Sequence, residues 1–526
     1  VGTFSNIINI SNIRSGVMTD VTIHGIVLGF YLVFLLGIGA YFFKNSNSQA
    51  DYFLGGRNLN VWVTSMSAQA SDMSGWLLMG LPGTAFLLTR NSGMAEAVWT
   101  AVGLALGTYL NWLILAKRLR KYSEHAGDAI TIPTYMENRF KDKTHLIKLI
   151  SAVFIVTFFL IYTAAQFSAG AKLFNAVFGL DYTTALVVGA IVIVSYTFLG
   201  GFLAVCWTDL IQGIMMFFAI IILPIIAVIQ LGGAEQTFDI AARLAELPGS
   251  FGASEWFGTE TLSVLGIVSI AAWGLGYFGQ PHILARFMGI SHSNEIKPAR
   301  RIATVWVVCT LAASTLLGVI GKAYMSTIVS ADVLNTLDGE RIFIYLVQNI
   351  LSGPGLSIIA GILLTAILSA IMSTADSQLL VTSSAVSEDI CKNMFSRLTD
   401  KQLLWISRIS VLVVAFTAII IASDPDSSVF DLVAYAWAGF GAAFGPAILM
   451  SLYWKRMNWQ GALAGILSGG TAVLVWRNLI KEYINLYEIL PAFVISIVFI
   501  IVVSLLTKEP SEDVKKEFDE FMNADI

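Results

Sequence analysis

Apolar stretches long enough to cross a bilayer recur from one end of this chain to the other, more than the core of a soluble domain could bury. A membrane-spanning helix needs about 20 mostly apolar residues. Such stretches lie near 24–43, 60–88, 96–116, 146–171, 182–200, 205–231, 262–284, 302–324, 355–387, 403–422, 429–453, 460–479 and 485–506. The expectation is an all-α polytopic membrane protein with about 13 transmembrane helices. Only 13% of the 526 residues are charged, against roughly 25% in soluble proteins. The net charge of -4 gives no reason to expect nucleic acid, so the lipid bilayer is the expected surrounding. An enzyme is not expected: His24, His125, His145, His282 and His292 are scattered, and no nucleophile–base spacing stands out. Cys206, Cys309 and Cys391 show neither metal-ligand spacing nor a disulfide framework.

Lys and Arg in short loops set the orientation of such a chain. Lys117, Arg118, Arg120, Lys121, Arg139, Lys141 and Lys143 follow the third stretch; Arg286, Lys297, Arg300 and Arg301 follow the seventh; Lys455 and Arg456 follow the eleventh. Lys44 and Arg57, after the first, fall on the same side, whereas the loop after the sixth carries Glu235, Asp239 and Glu246. Odd-numbered spans should therefore end in the cytoplasm, with the N-terminus outside and the polar tail 508–526 inside.

The second stretch contains SAQASDMSGWLLMGLPG, residues 67–83. Backbone in hydrocarbon must satisfy its own hydrogen bonds, so a helix unwinds there only beside a protected or wet cavity. Transporters use such breaks to aim free carbonyls at a cation and half-helix ends at a substrate. Ala70-Ser71-Asp72-Met73-Ser74-Gly75 fits one. AAWGLGYFGQPH in the seventh stretch fits another, with Gly274, Gly276 and Gly279 loosening the helix and Pro281 removing a donor. Breaks five helices apart suggest two five-helix repeats of opposite orientation; the alternative is that Gly and Pro are frequent in membrane helices anyway. The ninth stretch carries a polar seam: Thr365, Ser369 and Ser373 recur every four residues, as do Ala370, Thr374 and Gln378. Close helix packing would also explain those hydroxyls. It explains Asp376 and Asp209 less well, because a charge at membrane depth costs about 3 kcal/mol or more and usually marks an ion or substrate path.

The strings DYFLGGRNL, SDMSGWLLMGLPG, GGFLAVCWTD, WGLGYFGQPHILARFM, STADSQLLVTSSAVSED and YAWAGFGAAFGP run in this order through almost the whole chain. Together they resemble the sodium/solute symporter family, and within it the bacterial proline branch. That resemblance implies a five-plus-five inverted-repeat fold in the bacterial cytoplasmic membrane. It divides the chain into 1–59 (lead-in and extra helix), 60–231 and 262–453 (the two repeats), 454–507 (two C-terminal helices) and the 508–526 tail. It implies Na+ as the coupling ion, held by carbonyls of Ala70, Met73 and Ala370 and hydroxyls of Ser373 and Thr374, with Asp72 biasing the site toward cations or ordering the break. It implies L-proline as substrate among Ser71, Trp76, Tyr162, Trp273, Tyr277 and Pro281. The last three are spaced by four, which on a helix would give one face. Arg57 reads equally as a gate and as a topology determinant.

Asp209 matches an acid that some family members use in a further cation site with hydroxyls of the ninth span. Asp376 stands where one of those hydroxyls is expected, beside Ser377. Asp209, Asp376 and Ser377 would then hold a second cation or share a proton; alternatively Asp376 faces a basic partner or the vestibule. No organic cofactor or obligatory protein partner is expected. The rival functions are a sodium symporter for pantothenate, choline or a sugar, a membrane sensor of this fold, and a channel.

Overall fold

The computed structural model describes residues 2–43, 53–197, 201–247, 251–352, 355–395 and 398–523, with side chains left out for 2–19, 43, 196 and 400. Lys44 and the Asp51-Tyr52 start of DYFLGGRNL lie outside the described residues. Among those residues the chain is helical, and its one β feature is an isolated bridge between Leu59 and Ile290. Helices satisfy every internal backbone group along their own length, which is what a lipid environment demands.

Among the described residues ten helices are long and apolar enough to cross a membrane, or eleven when the bent pair Val264–Gly279 and Pro281–Gly289 counts as one span. The expected count of about 13 is not reached on length and composition alone. The second span is interrupted and survives as Val61–Ala70 and, beyond the break, Trp76–Gly80 with Leu81–Phe86. The fifth, Tyr182–Thr197, is a shorter apolar helix. The sixth is Phe202–Gln230, the eighth Ile296–Met325, the ninth Ser357–Ser384 and the eleventh Val429–Tyr453. The ninth and eleventh are buried almost along their whole length, whereas the twelfth and thirteenth, Trp459–Val475 and Ile489–Leu506, expose long apolar faces. The core therefore sits where the two broken spans meet the ninth and eleventh.

Both expected breaks are present. In the second span the interruption covers 71–74. In the seventh, Ala272–Gly279 winds as a 3-10 helix, Gln280 is extended (φ -78, ψ 106), and Pro281 starts a new α-helix bent by 46°. The glycines of this segment allow close approach. A Cβ on Gly276 would lie 1.8 Å from Trp437 Nε1, and one on Gly107 of the third span would lie 2.3 Å from the Gly274 carbonyl oxygen. The tail, expected only to be polar, contains the helix Glu512–Asn523, whose Phe521 stacks on Tyr122 at 4.2 Å.

Gly276→Ala should therefore lower the thermal unfolding midpoint of the purified protein, because overpacking costs about 1–3 kcal/mol. An unchanged midpoint would mean that the 3-10 segment can retreat from the eleventh span.

Candidate ion and substrate site

A continuous helix would give the Ala70 carbonyl to the Ser74 amide. The Ser74 amide instead donates to Asp72 O at 2.9 Å, which releases Ala70 O. Two hydroxyls of the ninth span donate to it, Ser373 Oγ at 2.7 Å and Thr374 Oγ1 at 3.3 Å. Ser373 Oγ also lies 3.1 Å from Ala370 O. Ser373 thus meets the carbonyls of both Ala70 and Ala370, and Thr374 that of Ala70, in one fully buried cluster. Met73 lies within the break and is also fully buried. The cluster contains oxygens only and no carboxylate. Such a set suits a hard monovalent cation, whereas divalent ions recruit carboxylates.

Asp72 is not in that cluster. Its Oδ2 accepts the Tyr277 hydroxyl at 2.5 Å, so it ties the second-span break to the seventh-span break, and its Oδ1 has no partner among the described residues. The Asp72 carbonyl accepts Trp76 Nε1 at 3.1 Å and Tyr162 OH at 3.2 Å. Gln166, unremarked in the sequence, clamps the same turn: its Oε1 accepts the Gly75 amide and its Nε2 donates to Ser74 Oγ. Ser71 ends the first half-helix, donating to Ala68 O at 3.3 Å. Trp76 and Trp273 face each other with centroids 6.0 Å apart.

The expected common face of Trp273, Tyr277 and Pro281 does not form. A 3-10 helix has three residues per turn, so a spacing of four rotates each side chain about a third of a turn from the last. Trp273 and Tyr277 instead meet through Trp437 of the eleventh span, at 6.5 and 5.0 Å. Pro281, beyond the break, lines a small cavity on the opposite side with Met288, Ser384 and Asp389.

Hydrogen-bonded and ion-paired groups lie at both ends of the site. At one end Arg57 donates to Asp128 Oδ1 (2.8 Å), Met288 O (2.7 Å), Ser123 Oγ (3.1 Å) and Ala129 O (3.0 Å). Beside it the Leu59 amide donates to Gly289 O and the Ser291 amide to Leu59 O. These bonds join the ends of the second, third and seventh spans. At the other end a polar cavity of about 490 Å³ reaches as far as Gly80 and Phe430. There Lys172 pairs with Glu340 at 2.5 Å, and Glu340 Oε1 accepts the Phe430 amide and Ser428 Oγ.

The family model for the sodium:solute symporter family matches residues 52–469. The chain belongs to the sodium:solute symporter family. Among curated relatives, this symporter is 46% identical over 490 residues to the osmoregulated proline transporter OpuE of Bacillus subtilis, covering 93% of this chain and 95% of that one. It is 45% identical over 491 residues to the sodium/proline symporter of Escherichia coli, covering 93% and 94%. Among solved structures it superposes on a Na+-coupled sialic acid symporter with a TM-score of 0.74 at 18% identity, covering 93% of this chain and 99% of that one. The fold is the inverted-repeat fold of these membrane transporters, and its transport is sodium-coupled.

The symporter does not gather Asp209, Asp376 and Ser377 around one point. Asp209 Oδ2 accepts Ser67 Oγ at 2.6 Å and pairs with Arg286 at 3.2 Å. Arg286 also donates to Ser377 Oγ (2.6 Å), Ser67 Oγ (3.0 Å) and His282 O (2.8 Å). A fixed guanidinium therefore lies between Asp209 and Ser377. Asp376, one residue from Ser377, projects about 100° away around the helix and accepts a hydrogen bond from Thr197 of the fifth span. Among the described residues the basic partner belongs to Asp209 and not to Asp376. By sequence Arg286 counts among the loop bases, yet it is fully buried.

Removing one member of a buried ion pair costs about 3–5 kcal/mol, because the other is left uncompensated. Arg286→Met should accordingly lower the unfolding midpoint sharply, and adding Asp209→Leu should recover part of the loss. No recovery in the double variant would make Arg286 a packing residue.

Proposed function

We propose that this protein is a secondary active transporter that couples inward sodium movement to uptake of L-proline by alternating access, in the cytoplasmic membrane of a bacterium. The observation that carries the reading is the freed Ala70 carbonyl, met by Ser373 and Thr374 of the ninth span at the break where Asp72 binds Tyr277. In this reading the sodium ligands are the carbonyls of Ala70, Met73 and Ala370 and the hydroxyls of Ser373 and Thr374. On binding, those hydroxyls turn their protons away and present lone pairs to the ion. Asp72 orders the break and adds negative potential beside the cation. Proline lies between the two breaks, its ring against Trp76, Trp273 and Tyr277, with Ser71 and Tyr162 completing the pocket, while Pro281 faces the separate cavity beside Asp389. Aromatic walls suit a small apolar ring, and half-helix N-termini suit its carboxylate.

The high identity to proline transporters over nearly the full chain supports the substrate. The basic loops support cytoplasmic placement of the Arg57 end, so that Arg57 closes the inner side and Glu340 with Lys172 the outer side. Residues 60–231 and 262–453 are then the two repeats, flanked by 1–59 and 454–507. One charge crossing 100 mV yields about 2.3 kcal/mol, and about 1.4 kcal/mol is a factor of ten. One sodium thus sustains roughly a fifty-fold proline gradient before its own concentration gradient is added.

Proteoliposomes containing the protein should accumulate radiolabelled proline only with an inward sodium gradient, and faster with the interior negative. Ser373→Ala and Thr374→Ala should each raise the sodium concentration for half-maximal uptake by about tenfold or more, the scale of one lost ligand near 1.4 kcal/mol. Unchanged sodium dependence in both variants would remove these hydroxyls from the site.

A further inference from the structure

One wall of the aromatic cluster comes from outside the two repeats. Tyr487 lies in the connection 481–488 between the twelfth and thirteenth spans, where nothing in the sequence suggests a role in binding. Its ring stacks on the Trp273 indole with centroids 5.3 Å apart and planes at 30°. Its placement is over-determined. The Tyr487 amide donates to Ser269 Oγ in the seventh span at 2.7 Å, and its hydroxyl donates to Ala434 O in the eleventh at 2.7 Å. The next residue, Glu488, is fully buried and held by Lys481 at 3.0 Å and Arg477 at 3.5 Å.

Trp273 needs such support. It lies in the 3-10 segment next to Gly274, with its carbonyl taken by Trp437 Nε1 at 2.8 Å, so the local helix does little to orient its indole. Phe430 lies 5.2 Å away, Trp76 6.0 Å and Trp437 6.5 Å, all tilted against it; Tyr487 alone is stacked on it among the described rings.

We infer that Tyr487 is a positioning residue of the substrate site: it sets the angle of Trp273, and through it the ring size the pocket accepts and the closure of its outer wall. This rests on the proline reading above. It makes the C-terminal hairpin part of the specificity apparatus and not merely a flank of the repeats.

The test uses the full-length protein in lipid nanodiscs, comparing wild type with Tyr487→Phe, Tyr487→Leu and Tyr487→Ala. Proline binding is measured at saturating sodium, with competition by azetidine-2-carboxylate and pipecolate, which have four- and six-membered rings. The Ala and Leu variants should bind proline roughly three- to tenfold more weakly, on the scale of a lost aromatic pair. They should also shift the preference toward pipecolate, while half-saturation by sodium without substrate stays unchanged. The Phe variant, which keeps the stack, should stay within about twofold of wild type.

A second readout needs no substrate. A Ser71→Cys reporter, with Cys206, Cys309 and Cys391 replaced by serine, should react several-fold faster with a membrane-impermeant maleimide when Tyr487 is Ala or Leu. If wild type binds proline but neither the ring-size ranking nor the labelling rate changes in a variant that still binds sodium, the inference is overturned. If wild type binds no proline, the substrate reading fails and the labelling rate alone decides on Tyr487.

Discussion

A backbone carbonyl without its helical partner costs several kcal/mol in hydrocarbon, and the Ala70 carbonyl is in that position because the Ser74 amide has turned to Asp72. The arrangement persists because two hydroxyls on the ninth span reach the same oxygen. That contact joins the second span directly to the ninth by hydrogen bonds. Each neighbouring feature helps to keep the break open at this register. Gln166 holds Ser74 and Gly75, Tyr162 and Trp76 load the Asp72 carbonyl, and Tyr277 takes the Asp72 side chain.

The Asp72–Tyr277 bond gives the break its reach. It ties the two interruptions directly to each other, and Tyr277 lies in the same 3-10 segment as Trp273. Outward from there, closure on each side depends on groups at the ends of the same spans. Arg57 and the Leu59 bridge tie the second span to the end of the seventh. Glu340 and Lys172 tie the fourth span to the start of the eleventh. In the proposed function, alternating access requires these two sets to open in turn.

Much of this was legible in the residues. An acid flanked by Ser and Gly inside an apolar run has few uses in a membrane other than a break, and Asp72 with Ser71, Ser74 and Gly75 forms one. The hydroxyl rows of the ninth span contained Ser373 and Thr374, and the family resemblance singled out those two. The spacing of Trp273, Tyr277 and Pro281 gives a common face only near 3.6 residues per turn, and the glycines permit a 3-10 winding instead. Asp376 was grouped with Asp209, although neighbouring helical positions point about 100° apart and Ser377 already occupies the inner direction. Arg286 was hidden by its position: charge counting sees a base near a loop, while burial is set by partners on the second, sixth and ninth spans. Tyr487 carries no local signal, since its role arises from a contact between the last hairpin and the seventh span.

If ion and substrate share one break, their equilibrium binding is coupled through it. Proline affinity is measured with and without saturating sodium, and sodium affinity with and without saturating proline, in wild type and in Thr374→Ala. Two ligands coupled through one element must tighten each other by the same factor. A shared break requires equal factors well above one in wild type, both moving toward one in Thr374→Ala. Proline affinity indifferent to sodium would contradict it.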